Sequence, residues 1–287
     1  MERFCPHCQS DRSAHSKFGS FVRKSDGRRI KRYRCTECLH TFSDAFFQRC
    51  YRQKKRYLNS MIKKLFCSEV SQRRIARILS ISRTTVERKL LFLAQVARAD
   101  NFRDFARGNV VLDMQFDDLE TIEHTKMKPL SVILAVEKGS RRILGFQVSQ
   151  MPAKGPLAKK SRKKYGSRPD ERPLGRRELF RYLEHRVHPR AKIMSDQNPH
   201  YVSDVKRWFP HATHETTKGL RGCVAGQGEL KRAGFDPLFS LNHTFAMLRA
   251  NINRLIRKTW CTTKNRDRLR DHIEIYVNYH NRQLLAG

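Results

Sequence analysis

Apolar positions recur with two different periods along the chain, and the change of period divides it. Between about residues 50 and 100 they return every three or four positions. From about residue 107 onward, short runs rich in Val, Ile, Leu and Phe alternate with helical stretches. The helical zone predicts a first helix over Tyr51 to Phe66, then a second capped by Ser71 with Ile75, Ile78 and Leu79 inward. Ser80-Ile81-Ser82 makes the turn, and Ser82 caps a third helix with Val86 and Leu90 inward. Ala76 is small enough for the two later helices to cross closely. This is the pattern of a helix-turn-helix, and it leaves Arg83, Thr84, Thr85, Glu87 and Arg88 outward, where such helices read base edges.

The later zone predicts strands over Asn109 to Phe116, Pro129 to Val136 and Arg141 to Val148, the last two joined by a turn at Lys138-Gly139-Ser140. A helix over Glu178 to Val187 follows, then a short strand over Ala191 to Met194. A helix from about Tyr201 to Phe209 leads to a fifth strand near Ala212 to Glu215. Three strands followed by alternating helices and strands is the order of an α/β RNase H-like (retroviral-integrase-like) core. The expected organisation is therefore multidomain: a segment over 1–48, an all-α helix-turn-helix over 50–100 and the α/β domain over 107–287. A basic stretch at about 151–177, MPAKGPLAKKSRKKYGSRPDERPLGRR, shows no periodicity and reads as a flexible insertion. Its Lys159, Lys160, Lys163 and Lys164 suit a DNA backbone. A late helix carries Leu238, Leu241, Phe245, Leu248, Ile252 and Leu255 as one apolar stripe, with Asn242, Arg249, Asn253 and Arg257 beside it. The run Arg266 to Arg282 reads as a further helix with Ile273, Val277 and Tyr276 inward.

Charge narrows the partner. Sixty Lys and Arg against 27 Asp and Glu give a formal charge of +33, spread through every segment, so a polyanion is expected, and double-stranded DNA fits best. No apolar run approaches the ~18 residues of a membrane span. The start, MERFCPHCQS, has no apolar core of a secretory signal, which points to the cytoplasm.

Of eight cysteines, Cys5 and Cys8 form one Cys-x-x-Cys pair, and Cys35 and Cys38 form another. Two such knuckles supply four thiolates, enough for a closed tetrahedral zinc site. The residues between them, Phe18 to Val22 and Arg28 to Tyr33, suit a hairpin turning at Ser25-Asp26-Gly27, so 1–48 is expected to be a zinc ribbon folded by its metal. His7, His15 and His40 are alternative ligands. The ribbon's contact is either DNA or another copy of the chain.

Strand order sets the candidate chemistry. In the RNase H-like order the ends of the first and fourth strands lie side by side, and Asp117 and Asp196 occupy those ends. Two carboxylates there suit Mg²⁺ or Mn²⁺ and in-line phosphoryl transfer. Asp118 and Glu120 are supporting candidates and Asp113 is a mid-strand rival of Asp117. His124 and His214 are within reach of a phosphate on this reading, although a hydrogen bond within the fold explains each as well.

The segments RYRCTECLHTFS, QFDDLET, IMSDQNPHY and LNHTFAMLRANINRLIRKTWC together resemble the insertion-sequence transposases, in particular those related to the insertion sequence one group. The resemblance spans nearly the whole chain. It implies a prokaryotic, nucleoid-associated enzyme that binds element ends and target DNA, cleaves and transfers strands with two metal ions, and works as a homodimer or larger assembly. It also implies a third acidic ligand on the late helix. Asn242 stands at that position, so the site departs from the acidic pattern toward an Asp-Asp-Asn set, with Glu229 as a rival in a Gly-rich loop. Two alternatives stay open: a catalytically decayed DNA-binding regulator, and a nuclease that does not join strands.

Overall fold

The computed structural model describes residues 4–218, 236–256 and 260–285. Backbone packing separates two units, Met1–Met61 and Ile62–Gly287.

In the first unit, strands β1 (His15–Val22), β2 (Arg29–Cys35) and β3 (Thr41–Ser43) form an antiparallel sheet in that order. Its core is small: Tyr33 and Phe42 pack with Cys5 and Cys35, and Phe47 covers them. A cluster of this size stabilises little by burial alone, which is why a metal clip matters to such a unit.

Helix α1 (Asn59–Phe66) runs across the boundary between the two units, and the second unit continues with α2 (Gln72–Ile78) and α3 (Arg83–Arg107). Helix α1 starts at Asn59, with only a short 3-10 turn at Arg56–Leu58 before it, so the helix expected from Tyr51 is half that length. The basic run Arg49 to Lys55 supplies no apolar face to hold a helix. Ser71 accepts from the Arg74 amide at 3.4 Å, and Ser82 from the Thr85 amide at 3.1 Å, so both helices begin at their serine caps. Ile75, Val86 and Leu90 are fully buried, but Ile78 is 59% exposed. Helix α2 ends there, and Ile75 is its one fully buried residue.

Helix α3 runs for 25 residues, roughly 37 Å, well past the turn-helix pattern that starts it. Its second half packs along α8 (Arg266–Tyr279). Asn101 donates to the Glu274 carbonyl at 3.1 Å and accepts from Asn278 at 3.1 Å, and Arg98 pairs with Asp271 at 3.3 Å. The turn-helix element therefore joins the α/β layer through one continuous rod.

That layer is a five-stranded mixed sheet in the order β6-β5-β4-β7-β8, from β4 (Val111–Ile122), β5 (Pro129–Glu137), β6 (Ile143–Gln150), β7 (Val187–Asp196) and β8 (Thr213–Thr217). The first three strands are an antiparallel meander, while β7 and β8 add parallel to β4. Helices α5 (Arg172–Leu183) and α6 (Pro199–Trp208) cover one face. There Phe116, Ile133, Ala135 and Ile193 pack on Leu179, Phe180, Tyr201 and Val205. Truncating a buried phenylalanine such as Phe180 to Ala costs about 3–5 kcal/mol. A Cβ at Gly175 would collide with the Ser149 hydroxyl, so a larger residue there requires that side chain to turn away.

Helix α7 (Phe239–Asn251) lies on the other face, against β4 and β5. All six residues of the predicted stripe, Leu238 to Leu255, are buried, although a break at Ile252 ends the α-helix before Leu255. Gln115, buried in β4, donates to the Pro237 carbonyl at 2.8 Å and accepts from the Leu241 amide at 3.1 Å.

The stretch 151–177 is not an open loop. It contains α4 (Leu157–Tyr165) and the start of α5. The buried Ser161 donates to the Met127 carbonyl at 2.7 Å, and Lys128 lies 4.8 Å from the Tyr165 ring. The inward face of α4 is built from Leu157, Ala158, Ser161 and Tyr165. It is too small and polar to register as an apolar stripe. Among the described residues, no helix is long and apolar enough to cross a membrane.

Candidate functional site

Cys5, Cys8, Cys35 and Cys38 bring their sulfurs within 4.8 Å of one another. Cys5 and Cys38 are 3.5 Å apart, and Cys8 and Cys35 are 3.6 Å apart. Four sulfurs at about 2.3 Å from a tetrahedral zinc are separated by roughly 3.8 Å, so this donor set fits zinc. The Cys38 backbone amide and the Ser10 hydroxyl, 3.1 Å from its sulfur, hold the Cys35 thiol well below its ordinary range, which favours thiolate. The histidines serve elsewhere. His7 and His40 stack on each other at 4.2 Å, and His15 packs edge-on against Phe42.

The second site is built on β4. This strand does not end at Phe116. It continues six residues further, because Leu119 and Thr121 are buried and β5 pairs with it as far as Ile122. Asp117 therefore lies inside a strand, which corrects the strand-end expectation. What stops near Asp117 is the parallel pairing with β7, whose last matched positions are Gln115 and Met194. Two residues further on each strand come Asp117 and Asp196. Burial and the neighbouring charge of Asp196 push Asp117 up to about 7. Two carboxylates so placed, one desolvated, form a site short of positive charge.

Tyr201 of α6 reaches two adjacent acidic residues of β4, Asp117 and Asp118. Its hydroxyl lies 3.0 Å from Asp117 Oδ1 and 2.9 Å from Asp118 Oδ2. Asp118 also accepts from Ser131. Behind the phenol ring, Arg176 lies 5.7 Å from the centroid and pairs with Asp204. Asp196 accepts from the Asn198 amide at 3.0 Å, so the same turn fixes the carboxylate and caps α6. The sequence marks Tyr201 as the start of a helix but not as a site residue. The signal available was its place in IMSDQNPHY, on the inner face of the helix that follows Asp196.

Asn242 lies exposed on the first turn of α7 and donates to Asp236 Oδ2 at 2.9 Å. Among the described residues no hydrogen bond links it to Asp117 or Asp196. Asp236, a further carboxylate that sequence reasoning passed over, also accepts from the Leu238 amide at 2.9 Å. Glu120 pairs with Lys154 at 2.9 Å. Asp113 is matched to Lys192 on β7, four residues before Asp117 along the strand. His214 is within 2.9 Å of the Ser195 hydroxyl, and burial lowers its basicity. His124 lies 2.8 Å from Lys264. Glu229 and Arg257 lie outside the described residues.

Of the expected DNA-contacting residues, Arg83, Thr84 and Arg88 are exposed at the start of α3. Thr85 is half-buried, and its hydroxyl is engaged with Ser82 at 2.8 Å, so it belongs to the helix cap rather than to an open reading face. Lys159, Lys160, Lys163 and Lys164 are exposed on α4, and Arg249 is exposed on α7.

No protein-family model matches the sequence, and none of the curated proteins compared matches it. A crystal structure of a pre-cleavage Mos1 transpososome is similar over 82% of this chain and 78% of that chain, at 11% identity and a TM-score of 0.21. A likeness at that score carries no argument about fold or activity.

Proposed function

We propose that this chain is a DNA transposase that binds element ends and performs metal-dependent strand cleavage and transfer. The proposal divides it into a zinc ribbon over 1–48, a helix-turn-helix over 50–100 and an RNase H-like catalytic domain over 107–287. One observation carries the reading: Asp117 and Asp196 each lie two residues past the last matched pair of two parallel strands, near enough that Asp196, after burial, helps push Asp117 up to about 7. Keeping such a pair is costly for stability, and a divalent cation relieves it.

The donor set suits Mg²⁺ or Mn²⁺ held by Asp117 and Asp196, with Asn242 as the third ligand, and such ions supply charge neutralisation and a more nucleophilic oxygen at a phosphodiester. The protein's own groups do the rest. Tyr201 and the Asn198 amide orient the carboxylates. Arg83, Thr84 and Arg88 face the base edges, with Thr85 holding the cap beneath them. Lys159, Lys160, Lys163, Lys164, Arg249 and Arg257 neutralise phosphates. Cys5, Cys8, Cys35 and Cys38 hold zinc. The expected assembly is a homodimer or larger complex on DNA, in the cytoplasm of a prokaryote.

The test is cleavage of a labelled duplex carrying an element end, in Mg²⁺ or Mn²⁺, comparing wild type with Asp196→Ala. Metal-dependent nicking that vanishes in the variant supports the enzyme, and joining of the cut strand to a target separates it from a plain nuclease. The commitment of Asn242 to Asp236 favours a second reading, a DNA-binding regulator with a decayed site. Tight binding without cleavage by both folded proteins would select it.

A further inference from the structure

A basic cleft of about 740 Å³ lies between the starts of α2 and α3 and the chain that follows α7. Its lining includes Arg73 and Arg74 from α2, Arg83 from α3, and Arg254, Trp260 and Lys264 from the far wall. None of these belongs to the carboxylate site. The walls are tied together. The Glu69 amide donates to the Asn251 carbonyl at 2.8 Å, buried His272 lies 2.8 Å from the Phe66 carbonyl, and Arg254 donates to Thr263 at 3.3 Å.

The charge balance is one-sided. Among the described lining residues, five cations face one acid, Glu69. Arg73, Arg74, Arg83 and Arg254 form no ion pair among the described residues. Burial makes the charged form of Arg254 harder to keep, and nearby Arg268 adds to this. Glu87 and Asp271 act the other way, but Arg268 already pairs with both, at 4.0 and 3.2 Å. An anion entering the cleft would relieve Arg254. The remaining feature is aromatic: the Trp260 indole is 79% exposed on the cleft wall. Cations beside an exposed aromatic side chain are the combination that holds an unpaired nucleic-acid strand, where phosphates meet arginine and bases stack.

We propose that this cleft binds one or two unpaired nucleotides of a DNA strand, with a base on Trp260 and the flanking phosphates on Arg254, Arg73 and Arg74. The volume supports that size. It falls within the ~300–1,000 Å³ of pockets that enclose small ligands, and a duplex cannot enter it. The inference deepens the DNA-processing reading and rests on it. A strand end frayed near the first turn of α3 would be captured beside the helix that reads the duplex.

The test uses the full chain with Trp208→Phe, which leaves Trp260 as the sole tryptophan. Titration with a short oligothymidylate is expected to quench Trp260 fluorescence. Trp260→Ala, a change at an exposed side chain, should weaken single-strand binding about fivefold or more while duplex affinity changes less than about twofold. Arg254→Gln should weaken the single strand too and flatten its salt dependence by about one unit of slope. Absence of quenching at saturating oligonucleotide would overturn the proposal, and so would equal losses for single strand and duplex. Equal quenching by polyglutamate would replace DNA with a generic anion. These binding values do not depend on Asp196, so failure of the cleavage reading is seen separately, in the nicking assay.

Discussion

The Tyr201 hydroxyl lies 3.0 Å from Asp117 Oδ1 and 2.9 Å from Asp118 Oδ2, yet it carries only one proton to give. The second contact is satisfied when one carboxyl keeps its own proton, and Asp117, pushed up to about 7, is the group able to do so near neutral pH. Tyr201 is thus a positioning residue for two acids at once. Tyr201→Phe keeps the ring packed on Phe116 and under Arg176 while removing the hydroxyl. The expected result is a fall of about 10- to 100-fold in cleavage rate, with a higher Mg²⁺ requirement and little change in melting temperature. Wild-type cleavage in this variant would make Tyr201 a core residue and nothing more.

The four cysteine sulfurs predict a stability coupled to metal. With a core of only a few aromatic residues, the 1–61 unit draws its folding energy from the site. One zinc per chain is expected by elemental analysis. Cys35→Ser should lower that content and leave the ribbon open to proteolysis, while the 62–287 unit still melts cooperatively. A full zinc complement in Cys35→Ser would contradict the four-thiolate assignment.

His272 predicts an acid-side weakness in the larger unit. Its ring is 1% exposed, packs edge-on against Phe66, and is held by burial down to about 3. The neutral ring donates from Nε2 to the Phe66 carbonyl, and Nδ1 has no hydrogen-bond partner among the described residues. The unfolded chain takes up a proton near pH 6.5 while the folded chain does not until about pH 3. Between those values the unfolded state binds more protons, so stability falls as pH falls. At pH 4.5 this one group removes about 2–3 kcal/mol relative to pH 7. Urea unfolding followed by Trp208 and Trp260 should show that loss in the wild type and a smaller one in His272→Gln. The same pH dependence in both proteins would assign the weakness to another group.

Much of this architecture can be read from periodicity, and the departures have definite causes. Both serine caps and the α7 stripe stand where side-chain chemistry marks them, since a cap or an apolar row is a local signal. Helix α4 is not local in that sense. Its inward residues are Ser161 and Tyr165 rather than leucines, and its docking depends on the Met127 carbonyl, 34 residues away in sequence. The bounds of β4 escaped for a similar reason. A strand that loses one neighbour at Asp117 while keeping the other changes its burial pattern without ending. The pairing of Asn242 with Asp236 depends on how the chain enters α7. Gln115 fixes that entry from the middle of the sheet, and no spacing along the sequence reports it.

That pairing yields the last prediction. Replacing Asn242 with the acid that the resemblance leads one to expect should not by itself improve the site. The Asn242 amide now donates to Asp236, so Asn242→Glu removes a donor and sets two carboxylates against each other at the start of α7. At an exposed position such repulsion is worth about 1 kcal/mol, or roughly fivefold in rate if it displaces the ligand. Asn242→Glu alone should therefore cleave more slowly than the double variant Asn242→Glu/Asp236→Asn, in which the amide and the acid have exchanged places. Asn242→Ala should lose at least about tenfold if the amide oxygen serves as a metal ligand. Cleavage rates for the three variants across a Mg²⁺ titration decide the matter. If the single Glu variant matches or exceeds the double variant, Asp236 is only the cap of α7. If Asn242→Ala cuts as fast as wild type, the third ligand lies elsewhere.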